Sequence, residues 1–70
     1  MDLIKVDSSM IDAIGYDEEQ QMLEVVFKRT GVYRYRGVPK NVYEELLNAP
    51  SKGSYIRDQI IDRYPTERLR

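Results

Sequence analysis

Two stretches of the chain alternate apolar or aromatic residues with polar ones, and two later stretches repeat their apolar positions every three or four residues. The sharpest alternation is Val32-Tyr33-Arg34-Tyr35-Arg36-Gly37-Val38-Pro39, with tyrosines pointing one way and arginines the other. A period of two predicts a strand with two unlike faces. Tyrosine favours strands and proline cannot continue into a central one, so the strand spans 32–37 and stops before Pro39. Residues 22–28 repeat the pattern, with Leu23, Val25 and Phe27 on one face and Met22, Glu24, Val26 and Lys28 on the other. Between them Arg29-Thr30-Gly31 reads as a three-residue hairpin loop, with glycine at the position that needs a left-handed backbone. Counting outward from a Lys28–Val32 pair sets Phe27 opposite Tyr33, Val25 opposite Tyr35, and Glu24 opposite Arg36.

Residues 9–16 mix strand formers with an interior glycine. No single alternation puts Ile11 and Ile14 on one face, so a bulge is expected between them. Asp17-Glu18-Glu19-Gln20 reads as a polar turn, which would set Tyr16 opposite Gln21 and Ile14 opposite Leu23. Residues 1–8, with Leu3, Ile4 and Val6, form either a lead into the domain or a short extra edge strand. After Pro39, which suits the first position of a helix, Val42, Tyr43, Leu46, Leu47 and Ala49 give an amphipathic helix over 40–49 that Pro50 stops. Ser51 is a good cap for a second helix over 52–64, with Ile56, Ile60, Ile61 and Tyr64 on its apolar side and Pro65 at its end. Gly53 in its first turn suggests a close-passing backbone, and residues 66–70 read as a loose basic tail. The expected fold class is α+β: a three-stranded antiparallel meander followed by two helices packed on one face.

Seventy residues make one small domain, here 1–70 with a core at about 8–64, and leave little room for a deep internal pocket. Cysteine and histidine are both absent, which removes thiolate chemistry, disulfides, the commonest general base and the commonest metal ligand. No apolar run reaches the roughly 20 residues of a membrane span, and the first residues lack the pattern of a signal peptide. A cytoplasmic, monomeric domain without cofactor or metal is the expectation. The net charge is −1, but residues 1–27 carry one lysine against seven acids, while residues 28–70 carry ten lysines and arginines against five acids. That asymmetry makes the molecule dipolar and gives its basic half an attraction for phosphate.

Ser8-Ser9 with Ile11, Ile14-Gly15-Tyr16-Asp17, Leu23-x-Val25-x-Phe27, Tyr33-x-Tyr35, Val38-Pro39 with Val42-Tyr43, Leu46 and Ala49, and Ser51-x-Gly53-x-Tyr55 follow one another along the chain. Taken in that order they resemble the KTSC family. The resemblance covers roughly residues 8–64; Ile56 stands where the family suggests phenylalanine. It implies a small module that occurs at the C-terminus of some lysyl-tRNA synthetases and also as a stand-alone bacterial or phage protein. RNA binding is the role the resemblance suggests.

From the residues themselves, the strand face opposite the tyrosines is the candidate surface. Lys28, Arg34 and Arg36 lie on it, with Arg29 at the turn and Lys40 just beyond, a set able to follow an RNA backbone. Lys52, Arg57, Arg68 and Arg70 form the alternative basic set. Tyr33 and Tyr35 could stack bases, but the face they share with Leu23, Val25 and Phe27 is the one the helices must cover, so both are assigned to the core. A second class of partner is another protein, met through Met22, Val26 and Val32 or an open strand edge. An enzyme is not expected: Ser8, Ser9 and Thr30 have no base to activate them, Asp17-Glu18-Glu19 does not match a calcium loop, and there is no glycine-rich phosphate loop.

Overall fold

The computed structural model describes residues 2–70. Its elements are β1 (Leu3–Lys5), β2 (Ile11–Asp17), β3 (Met22–Phe27), β4 (Gly31–Arg36), α1 (Lys40–Asn48), α2 (Lys52–Gln59) and β5 (Thr66–Arg68). The strands form one antiparallel sheet in chain order, with both helices inserted between β4 and β5. The fold class is therefore α+β as expected, but with five strands rather than three. Residues 3–5 take the edge-strand alternative, and the tail expected to be loose is the opposite edge strand.

The β2 bulge lies where the isoleucines demanded it. The register shifts between Ile11 and Ala13, and both Ile11 and Ile14 are fully buried. The hairpin pairings differ from those expected by two residues. Val25 faces Tyr33, Leu23 faces Tyr35, and Glu24 faces Arg34 rather than Arg36. The turn is drawn from residues 28–30, and Gly31, at φ +111°, already pairs with Phe27. A shift of two leaves every side chain on its expected face, so alternation alone could not detect it. The β2–β3 register moves likewise: Tyr16 faces Leu23 and Ile14 faces Val25.

The core gathers Ile14, Leu23, Val25 and Tyr35 from the sheet, Val38 from the β4–α1 connection, and Leu46, Ile56 and Ile60 from the helical side. Tyr16 stacks on Tyr43 with centroids 4.5 Å apart and its hydroxyl donates to the Val38 carbonyl, fixing α1 to the sheet. Pro39 is the residue before the helix rather than its first position, its carbonyl accepting from Val42 and Tyr43. Ser51 caps α2 by accepting from the Ser54 amide. The close neighbour of Gly53 is the Met10 side chain, not a backbone: a Cβ there would lie 2.9 Å from its sulfur.

The second helix ends at Gln59, well short of residue 64. The chain leaves it through a turn in which Asp62 takes φ 67°, a left-handed state that aspartate tolerates better than most residues. Two constraints stop the helix early. A residue before proline is pushed to extended backbone, which excludes Tyr64. The chain must also swing back so that the Pro65 carbonyl can accept from the Arg36 amide and start β5.

Candidate functional site

The five cations singled out from the sequence are distributed over the length of the sheet rather than gathered. Lys28 and Arg29 lie exposed at the β3–β4 turn. Arg34 and Arg36 point from β4 onto the face that carries no helix, farther from that turn. Lys40 follows the far end of β4, which spans six residues and thus roughly 20 Å. Each of the last three faces a carboxylate. Arg34 lies 3.4 Å from Glu24 and 3.9 Å from Glu67; Arg36 lies 3.0 Å from Glu67; Lys40 lies 3.3 Å from Glu18. The Arg34 Nε is buried without a hydrogen-bond partner. These pairs stabilise the fold by little, about 0–1 kcal/mol each, but they offset much of the positive charge on that face.

Glu67 reaches this network because β5 docks on β4, and the same docking carries the tail arginines to the β3–β4 turn. The Val32 amide donates to the Arg70 carbonyl, and the Leu69 amide donates to the Val32 carbonyl. Gly31 admits this approach, since a Cβ there would collide with the Arg70 carbonyl oxygen. Lys28, Arg29, Arg68 and Arg70 therefore stand at one end of the molecule, and none of them pairs with a described carboxylate. The β2–β3 turn at the other end carries Asp17, Glu18 and Glu19. The two sheet turns thus carry opposite charge, three acids at one and Lys28 and Arg29 with the tail arginines at the other.

The helix-side face is open at the basic end. Phe27, expected beneath both helices, is only half-buried, with a groove rather than a packed side chain over it. Phe27 and Tyr33 meet edge to face with centroids 5.6 Å apart. They line a groove of about 430 Å³ with Met10, Tyr35, Ile61 and Asp62 among its walls. A neighbouring hollow of about 300 Å³ shares Met10, Phe27 and Thr30 and reaches Arg29. Met10 is 40% exposed. The Arg68 guanidinium lies over the Tyr33 ring, 5.8 Å from its centroid. Of the two tyrosines assigned to the core, Tyr35 is buried at 3% exposure and Tyr33 stands half-buried at the groove. Burial first, then the neighbouring Tyr33 and Asp62, push the Tyr35 hydroxyl above its ordinary pKa, so it stays a neutral donor. A separate depression of about 530 Å³ between the helices is lined by Glu45, Asp58 and Tyr55. Its carboxylates make it a poor place for phosphate.

The chain is similar to known proteins over nearly its whole length. A family model for the KTSC domain matches residues 7–64. The chain belongs to the KTSC family. The fold superposes on the crystal structure of a KTSC domain protein from Yersinia pestis with a TM-score of 0.96 and 33% identity, covering 99% of this chain and 97% of that one. An uncharacterised protein of Stutzerimonas stutzeri is 44% identical over 55 residues, which is 79% of this chain and 78% of that protein. Lysine–tRNA ligases of Nostoc punctiforme and Nostoc sp. are 37% and 40% identical over 67 residues. This KTSC chain corresponds to only 12% of the length of either ligase.

Sequence reasoning missed the groove and the company of Arg68 and Arg70 with Lys28 and Arg29. Thr66-Glu67-Arg68 does follow a proline as edge strands can, but three residues are too few for periodicity to declare them a strand. The groove depends on where α2 ends, and apolar Ile60, Ile61 and Tyr64 give no sign that the helix stops short of them.

Proposed function

We propose that this KTSC domain is a non-catalytic module that binds RNA weakly through its basic end. The observation that carries the reading is the cluster of four cations, Lys28, Arg29, Arg68 and Arg70, that no described carboxylate pairs with. Their neighbour is a half-buried aromatic pair, and cations beside aromatic rings are the usual make-up of a single-strand platform. The similarity to a segment of lysine–tRNA ligases supports the same partner class. Arg34 and Arg36 contribute less, since Glu24 and Glu67 already occupy them, and Lys40 stands beside Glu18 at the acidic end. The arrangement contains no nucleophile paired with a base, so binding rather than turnover is its chemistry.

The test is a titration of labelled tRNA and of an unstructured RNA at two salt concentrations. About four phosphate contacts predict an affinity that falls by tens-fold between about 50 and 200 mM salt. Lys28→Gln with Arg29→Gln should weaken binding to both RNAs and flatten that slope; Arg34→Gln with Arg36→Gln should do so less. No binding at low salt removes the reading. A protein ligand held through the apolar groove, with Met10 as its exposed anchor, would instead survive high salt.

A further inference from the structure

We propose that the groove between Phe27, Tyr33 and Ile61 is the seat of one unpaired nucleobase of single-stranded RNA, with guanine preferred. The inference rests on the RNA reading above and adds to it the part of the ligand that enters the fold.

Three observations converge. The groove, at about 430 Å³, is of the size and apolar character that accept a small planar group, and it is walled by Phe27 and Tyr33. Those rings are half-buried on a face where their neighbours Leu23 and Val25 are fully buried. The Phe27 edge meets the Tyr33 ring, and the Arg68 guanidinium, whose Nε donates to the Arg70 carbonyl, lies over that ring at 5.8 Å. Such a contact at an exposed site is weaker than stacking of a base on an aromatic ring, so a base can displace it. The displaced guanidinium is planar and can stack on the base or meet its phosphate.

Charge decides which part of the nucleotide goes where. Arg29 and Arg68 lie beside the groove and suit the phosphates on either side of the seated base. Asp62 lines the groove and makes no hydrogen bond or ion pair with a described residue. A carboxylate repels phosphate but accepts from N–H donors. Guanine is the base whose Watson–Crick edge offers two adjacent N–H donors to a carboxylate. A paired base has its edge occupied and its faces stacked, so a duplex cannot enter.

Short labelled single-stranded RNAs, identical except for one central base, should be titrated against the protein beside a duplex of the same sequence. The expected result is tighter binding of the single strand, best with guanine at the centre. Tyr33→Leu should lower single-strand affinity about tenfold with the salt slope unchanged, whereas Tyr33→Trp should keep or raise it. Asp62→Asn should remove the guanine preference without removing binding. Melting temperatures of the Tyr33 variants close to that of the unaltered protein separate loss of stacking from loss of fold. Unchanged single-strand affinity in Tyr33→Leu, or a duplex that binds as tightly as the single strand, overturns the seat. If Lys28→Gln with Arg29→Gln still weakens binding and flattens the salt slope in that case, the RNA reading stands without it. An unaltered protein that binds neither RNA overturns both.

Discussion

The helix-side face of the sheet has two ends built from the same alternation and finished differently. At the acidic end Tyr16 and Tyr43, themselves half-buried, close over each other by stacking, and Leu23, Tyr35, Val38 and Leu46 are almost without solvent contact. At the basic end Phe27 and Tyr33 continue the same strand face, yet both stay half-buried and Met10 is 40% exposed. The residues do not differ in kind; aromatics and aliphatics serve both ends. The difference lies in cover. At the acidic end Tyr43 and Leu46 of α1 pack onto the sheet, while at the basic end Met10, Ile61 and Asp62 wall a groove over Phe27 and Tyr33 without filling it. Apolar surface that the fold could have closed is left open beside cations that no described carboxylate side chain pairs with, which is why this end, and not the arginine-bearing sheet face, carries the functional reading.

The largest expected contrast is in stability. Leu23→Ala removes a fully buried side chain and should cost about 2–5 kcal/mol. A domain of this size has only about 5 kcal/mol to lose, so that variant should be largely unfolded at room temperature. Phe27→Ala, at the open end, should cost about 2 kcal/mol, less than a buried aromatic would, and still show a cooperative melt. Equal denaturant midpoints for the two would erase the distinction between the ends.

Gly31→Ala should come next. A β-carbon there meets the Arg70 carbonyl, and φ +111° is strained for alanine, so the tail should detach from β4 at a cost of about 1–3 kcal/mol. RNA affinity should fall as it does when Arg68 and Arg70 are both replaced by Gln. Amide exchange at Val32 and Leu69 would report the detachment, and protection as in the unaltered protein would contradict it.

A smaller effect belongs to the closed side. The Tyr55 hydroxyl donates to Glu45 at 2.8 Å and holds α2 to α1. Burial first, then that hydrogen bond and the Glu45 charge, push its pKa up to about 12 from 10.0. A raised folded-state value means the unfolded chain releases the proton earlier. The stabilisation is therefore complete below pH 10.0 and is lost as pH rises toward about 12. Tyr55→Phe should be slightly less stable at neutral pH and should lose less stability across that alkaline window. Parallel melting curves for the two proteins against pH would refute this. The smallest effect expected is that of Glu67→Gln. It frees Arg36 and part of Arg34, so RNA affinity should rise about two- to fivefold with little change in melting. Unchanged affinity would mean that the sheet face plays no electrostatic part.

Much of this protein is determined by local pattern. The alternation in 22–28 and 32–37 assigned every side chain to its face, and it survived a two-residue error in pairing because a shift of two preserves the pleat. Ile11 and Ile14 required a bulge, Ser51 announced a cap, and Pro50 separated the helices. The ordered set of residues pointed to the KTSC family, to which the chain belongs. Pairing, helix length and tail were decided by the tertiary structure. A turn can be drawn from 28–30 or from 29–31 with the same glycine, and only the packing of Val25 against Tyr33 and Leu23 against Tyr35 selects one. Thr66–Arg68 is a strand because β4 offers an unpaired edge, and no property of three exposed residues says so alone. The fates of Arg34, Arg36 and Phe27 followed from that one docking and from where α2 ends. Such long-range contacts depend on which backbone edge is free and which surface is uncovered, and neither is written in the neighbours of a residue.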